Sequence, residues 1–274
     1  MSRLTPDQVQ SFHDNGFHFP VRVFEPAEAR RLRARFESIA DLTSPLDATG
    51  LQGLHGWVWD LVHDPRIVEP VQQLLGPDLL LWSTDLIVKE PGDERFYSYH
   101  QDCNYWGLKP HDILTAWVAL SDAGPSAGPM SFVPGSHRES LTHEDTSDRL
   151  NMLSRGQTIP GLSHQDSVLA PLETGEMSLH HVGLAHASRP NRSDDLRIGL
   201  ALRFMAPHVR QTKGEDSATL ISGEDRYGHF TLCPRPKIDG GEEEQKRRLH
   251  SLQCRTKILL PEGAETPQAF LPRQ

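Results

Sequence analysis

The chain has 274 residues, with 28 Lys and Arg against 37 Asp and Glu, for a formal net charge of -9. An acidic surface of that kind argues against nonspecific binding to nucleic acid or to anionic membranes, both of which need basic patches. Three cysteines, Cys103, Cys233 and Cys254, are odd in number and lack CxxC spacing, which argues against a disulfide framework and against a zinc site. No apolar run is long enough to span a bilayer, and the polar start from Met1 to Gln10 lacks a signal-peptide apolar core, so the expected location is the cytoplasm. A single domain over residues 1–274 is the expected organisation, with residues 1–78 as helical support, 79–207 as the core and 208–274 as a C-terminal extension.

The first element is a helix opened by Thr5-Pro6-Asp7-Gln8, which supplies a cap, a proline at the first helical position and a glutamine three residues after the cap. Asn15-Gly16 closes it. Phe17, Phe19, Val21 and Val23 alternate as in a strand, and Pro20 marks it as an edge. A second helix begins near Pro26, with Ala29, Leu32, Phe36 and Ile39 forming one apolar stripe. A third spans Pro65 to Leu75 and stops at Gly76. Between them, Thr43 to His63 holds Leu54-His55-Gly56-Trp57-Val58-Trp59 and is a candidate lid, or equally a packed connector. Short strands and Gly/Pro turns then dominate as far as Pro207, which predicts helices outside a two-sheet antiparallel barrel. Glu242-Glu243-Glu244 reads as a solvated stretch, and Ser222 to His229 as a surface connection.

Two separated fragments carry the chemistry: Tyr99-His100-Gln101-Asp102, and His186-Ala187-Ser188-Arg189-Pro190-Asn191-Arg192-Ser193 followed by Arg197. Residues i and i+2 of a strand project to one face, so His100 and Asp102 can reach one metal, and His186 completes the set. Two imidazoles and one carboxylate with open positions opposite describe the facial triad of non-heme Fe(II) oxygenases. Arg197 suits a carboxylate of a dicarboxylate co-substrate, because its planar fork matches the anion and stays charged when desolvated. The strand from Leu196 to Phe204 puts Arg197, Gly199 and Ala201 on one face. Rivals exist: His180 and His181 for the ligand role, and Arg203, of the same strand parity, for the carboxylate. Cys103, beside Asp102, reads as a small buried residue.

Taken with Trp117 to Asp122 and Gly128 to Arg138, these fragments resemble the phytanoyl-CoA dioxygenase (PhyH) family of Fe(II)/2-oxoglutarate-dependent oxygenases, from the opening helix to about Pro207. The resemblance implies a mainly β fold with flanking helices, the double-stranded β-helix or cupin-like jelly roll. It also implies Fe(II) held by His100, Asp102 and His186, with His186 preferred over its neighbours by its spacing to Ser188 and Arg197. Arg197 then binds the distal carboxylate of 2-oxoglutarate, assisted by Ser188, and Trp117 lies on the cofactor side. Three ligands leave room for 2-oxoglutarate and O2, giving succinate, CO2 and a hydroxylated product. Halogenating relatives carry a small residue where Asp102 stands, so its presence implies hydroxylation.

The expected partner is a small molecule, and nothing in the sequence sets the oligomeric state. The aromatic residues Trp57, Trp59, Tyr105 and Trp106 could receive a cationic group, and a basic cluster for a CoA diphosphate is lacking, as is a peroxisomal tripeptide at Leu271-Pro272-Arg273-Gln274. A small polar metabolite, such as an amino acid, a quaternary ammonium compound, an aminophosphonate or a natural-product intermediate, is therefore expected ahead of an acyl-CoA. Two other classes stay open: a non-catalytic jelly-roll binding protein, and a cupin-type metalloenzyme that does not use oxoglutarate.

Overall fold

The computed structural model describes residues 3–42, 44–146, 148–153 and 156–259, and of Pro45 and Leu46 only the backbone. The expectations for the two ends of the chain, and Thr43 of the candidate lid, lie outside the described residues. Helix α1 (Pro6–Asn15) has the reciprocal cap read from its sequence: Gln8 N–H donates to Thr5 Oγ1 at 3.3 Å and Thr5 N–H to Gln8 Oε1 at 2.8 Å. Gly16, at φ 84°, ends it in the left-handed conformation that glycine adopts without strain. Strand β1 (Phe17–Arg22) follows, then α2 (Pro26–Ile39), α3 (Pro45–Ala48), α4 (Gly56–Val62) and α5 (Pro65–Leu75).

The remaining elements are β2 (Leu79–Lys89), β3 (Tyr97–His100), α6 (Cys103–Trp106), β4 (Leu108–Lys109), β5 (Ile113–Ala119), β6 (Met130–Phe132), β7 (Val168–Ala170) and β8 (Glu176–His181). They continue with β9 (His186–Ser188), β10 (Arg197–Met205), β11 (Arg210–Gln211), β12 (Ser217–Ser222), β13 (Thr231–Leu232) and α7 (Glu242–Leu259). Among the described residues a seven-stranded sheet runs β1-β8-β5-β10-β2-β12-β13 and a four-stranded sheet runs β3-β9-β6-β7. All their ladders are antiparallel except β12 with β13. Two such sheets with helices outside make the jelly roll, and β1 with its Pro20 lies at the edge of the larger sheet as read from sequence.

Period-two alternation on β10 decides what each face does. Ile198, Leu200, Leu202 and Phe204 pack with Ala29, Phe36, Val58, Ile67 and Val71 in the core beneath the helices. Arg197, Ala201 and Arg203 face the interior between the sheets. Gly199 is required there: a Cβ on it would stand 1.8 Å from the Trp117 ring.

The region after Met205 differs from the expected extension. Strand β12 pairs with β2, giving the large sheet another strand, and α7 then lies across the sheet beside Trp82. Of the acidic stretch, Glu242 and Glu243 are exposed, but Glu244 is buried and accepts from Lys237 N–H and Arg247 Nη2, each at 3.1 Å. A buried carboxylate persists because those donors replace its water. No helix of the described residues is long and apolar enough to cross a membrane.

Candidate metal centre

The smaller sheet brings His100 and His186 together directly, because they are cross-strand partners on β3 and β9. Their ring centroids lie 4.2 Å apart. Each ring is fixed through Nδ1, which lies 2.8 Å from Ser98 O for His100 and 2.9 Å from Leu184 O for His186. A carbonyl accepts only from a protonated nitrogen, so both Nε2 atoms keep their lone pairs, the tautomer a metal needs. Asp102 completes the group by a route other than strand parity. It has left β3 and stands in helical conformation at the start of α6, with Oδ1 3.5 Å from His100 Nε2. One ligand atom from each of the three residues lies within 4.8 Å of the others, and this is the candidate metal group among the described residues.

The turn that places Asp102 is held by Gln101, which the sequence reading passed over. Its side chain is fully buried: Nε2 donates to Gly183 O and Glu139 O at 2.7 Å and to Ser136 O at 3.1 Å, while Oε1 accepts from Leu141 N–H at 2.9 Å. Burial alone would push the Asp102 carboxyl up, but the adjoining His100, His186 and His180 imidazoles outweigh it and hold it below the usual range. Burial, then the neighbouring His100, pulls His186 down to about 4, leaving it a neutral ligand at physiological pH. Next to Asp102, Cys103 is half-buried where a fully buried residue was expected; burial and then the Asp102 charge raise its thiol to about 11, which keeps it unreactive.

Opposite this group, β10 and β5 supply the anion side. Arg197 is 1% exposed, and its Nε and Nη2 have no hydrogen-bond partner among the described residues. Its guanidinium lies 5.3 Å from the Trp117 ring, and its Nη1 reaches Gly128 O at 3.4 Å. Burial lowers it only to about 10, so it is charged at neutral pH. Unspent donors on a buried cation are costly unless an anion takes them. Lys89, opposite Arg197 on β2, is a second basic group that sequence reasoning missed. It is fully buried and donates to Ser188 Oγ at 2.8 Å and to Ser188 O at 3.2 Å; burial, then the Arg197 charge, pulls it down to about 6. Only its register across from Arg197 marks it, and register is not readable without the fold.

The rival residues have other employment. Arg203 pairs with Asp85, which also accepts from Thr49 Oγ1 at 2.6 Å and from Ser83 Oγ at 2.7 Å. His180 stands behind His186 with ring centroids 5.0 Å apart, and His181 turns toward His137. Arg203, Thr115 and His180 nevertheless form a row of cross-strand partners over β10, β5 and β8. Arg203 Nε, Thr115 Oγ1 and His180 Nδ1 are all without partners among the described residues, and all three side chains line the 120 Å³ pocket that holds the metal group.

That pocket shares Ile87, Tyr97 and Arg203 with a cavity of about 500 Å³ walled by β2, the loop at 149–152 and α7. Of the aromatic residues expected at the entrance, Trp106 lines it. Tyr105 packs in the adjoining apolar cluster instead. Trp57 lies in the helical core, 4.7 Å from the Phe36 ring, with the Arg35 guanidinium 4.0 Å from its own ring, and Trp59 stacks on His63. Ala48 and Thr49 of the candidate lid do reach the cavity wall.

The sequence model for phytanoyl-CoA dioxygenase (PhyH) matches residues 12–199. The chain is 28% identical over 152 residues to a probable alpha-ketoglutarate-dependent hypophosphite dioxygenase of Stutzerimonas stutzeri, covering 53% of this chain and 52% of that one. It is 25% identical over 244 residues to the peroxisomal phytanoyl-CoA dioxygenase of Homo sapiens, covering 77% and 72%. The chain thus spans about half the length of the first and nearly three quarters of the second. A solved apo structure of the non-heme monooxygenase ThoJ superposes with a TM-score of 0.82 at 32% identity, covering 92% of this chain and 97% of that one.

Proposed function

Because the chain belongs to the phytanoyl-CoA dioxygenase (PhyH) family of Fe(II)/2-oxoglutarate-dependent oxygenases, we propose that it hydroxylates a small polar metabolite, with His100, Asp102 and His186 as the iron ligands. The observation that carries this reading is the pairing of a converged His, Asp, His group with a buried arginine whose Nε and Nη2 are unspent. Each half fits the group it would hold: two neutral imidazoles and a carboxylate suit Fe(II), and an unspent guanidinium suits a carboxylate.

When bound, iron and 2-oxoglutarate supply oxidative decarboxylation: O2, the keto acid and a substrate C–H become succinate, CO2 and a C–OH. The chain's own residues orient and exclude. Arg197 receives the distal carboxylate, with the Ser188 hydroxyl beside it; Lys89 holds that hydroxyl by donating to its Oγ. Trp117, packed against Gly199 and Arg197, closes this side against water. The carbonyls of Ser98 and Leu184 keep both imidazoles aimed, and Gln101 keeps Asp102 in place. A binding module would have no use for this combination, and a metalloenzyme working without oxoglutarate would have no use for Arg197.

Of the substrate classes left open by sequence, a quaternary ammonium compound loses support. The faces of Trp106 and Trp82 at the cavity already carry Arg203 and Arg255, at 5.1 and 5.2 Å. The proposed setting is the cytoplasm. The test is succinate formation by iron-loaded protein over a panel of amino acids, betaines, aminophosphonates, natural-product intermediates and acyl-CoAs. Iron-dependent, hydroxylating turnover of a polar metabolite is expected. Turnover of acyl-CoAs alone, or chlorination in halide buffer, would contradict the reading.

A further inference from the structure

The cavity beyond the metal pocket is chemically lopsided. Its volume of about 500 Å³ falls in the range of sites for drug-sized ligands, well beyond what a free amino acid fills. Leu86, Ile87, Trp106, Met152, Leu252 and Leu259 give it an apolar lining. Its polar groups are mostly spent on neighbouring protein groups. Asp85 accepts from Thr49, Ser83 and Arg203. Arg95 is held by Asp93, Arg255 by Trp82 O, Ser217 O and Asp216, and the Asn151 amide donates to Ser98 and Gln157.

What is left over on the cations is donor capacity. Arg203 Nε is buried without a partner, and Arg203 is the charged residue among the three at the junction with the metal pocket. Arg149, an exposed residue of the lining, has no ion-pair or hydrogen-bond partner among the described residues. Glu90 is the remaining acid of the lining, and it is exposed, where water satisfies it. A ligand that fits must therefore bring acceptors to meet unspent donors, together with apolar bulk to fill the remainder.

We propose that the cavity binds a drug-sized substrate with a partly apolar body and an oxyanion group, which among the metabolite classes above fits a natural-product intermediate and not a free amino acid, received by Arg203 at the junction and by Arg149 elsewhere in the lining. The inference rests on reading the cavity as the substrate side of the iron site. It makes Arg203 a substrate residue, where sequence parity had offered it as the rival oxoglutarate anchor. It also gives α7, which lies beyond the residues matched by the family model, a share in the wall through Leu252 and Leu259.

The probe is 8-anilinonaphthalene-1-sulfonate, an aromatic anion of suitable size, titrated by fluorescence into the full chain loaded with Fe(II) and 2-oxoglutarate without O2. Its uncharged analogue N-phenyl-1-naphthylamine is titrated in parallel. The sulfonate should bind one to one and more tightly than the analogue. Arg203→Met should weaken the sulfonate about tenfold, as loss of a hydrogen bond to a charged group does, and Arg149→Ala about threefold, as expected of an exposed charge. Neither should change binding of the analogue, and the remote Arg226→Ala should change nothing. Should Arg203→Met fail to fold because Asp85 is left unpaired, Arg149→Ala decides. Equal affinity for the two probes, no sulfonate binding, or variants without effect would overturn the proposal. The visible absorption band of chelated oxoglutarate in the same samples separates the two readings: a band without anion preference removes this inference alone, and anion preference without a band removes the iron assignment alone.

Discussion

The two ends of the barrel interior are built on different principles. At the metal end, each side chain is fixed by a short-range device: a carbonyl two residues before each histidine, a buried glutamine between His100 and Asp102, a glycine that admits Trp117 beside Arg197. At the end proposed for the substrate the wall is assembled from β2, α3, the loop at 149–152 and α7, which are far apart in sequence and meet only through the fold. Atoms that converge on one point are fixed locally, whereas the wall of the larger cavity is spread over elements that can vary separately.

The largest expected effect breaks the metal end outright. His186→Ala should take iron binding from one equivalent to none after anaerobic loading, while His180→Ala and His181→Ala keep it. The reverse pattern would transfer the ligand role to a neighbour. Arg197→Ala should leave iron bound but raise the oxoglutarate requirement by the equivalent of about 2–5 kcal/mol, the usual cost of truncating one partner of a buried charged pair. Arg203→Ala should leave that requirement nearly unchanged, and steady-state titration of 2-oxoglutarate with both variants shows which arginine serves which end.

Protonation probes the scaffold between the two ends. Burial lowers His181 to about 4 from an ordinary value of 6.5. Between those values the unfolded chain binds the proton and the folded chain does not, so stability falls as pH drops from 6.5 toward 4, by about 2–3 kcal/mol from this residue. His181→Gln should flatten that slope in urea unfolding measured across the range. Gln101→Leu should cost about 1–3 kcal/mol by stranding buried carbonyls and the Leu141 N–H, with iron affinity falling alongside. Smallest of all, Trp59→Phe should change stability by about 1 kcal/mol or less and leave substrate turnover alone, because Trp59 is stacked on His63 away from the cavity.

The same contrast explains what the sequence disclosed. Capping signals and the Ala29 to Phe36 stripe place the helices, and strand alternation places Arg197 and Arg203 indoors, because propensity and period are local properties. His100 and His186 are legible as residue types at a spacing. Asp102 was legible for the wrong reason, since it reaches the metal group from a turn rather than from the strand. Lys89, Thr115 and Leu252 are illegible: a lysine opposite Arg197, a hydroxyl opposite Arg203 on the other neighbouring strand, and a helix laid over a cavity are facts of register and topology. Trp57 and Trp59 show the converse error, because an aromatic run beside glycines reads the same whether its rings fill a core or line a mouth.

The most direct measurement is an anaerobic titration of 2-oxoglutarate into the Fe(II)-loaded protein, followed by visible absorption in wild type, Arg197→Ala and His186→Ala. The account predicts the weak charge-transfer band of chelated oxoglutarate saturating at one equivalent in wild type, shifted to much higher concentration in Arg197→Ala, and absent in His186→Ala. No band in iron-replete wild type, or an unaltered band in His186→Ala, would contradict it.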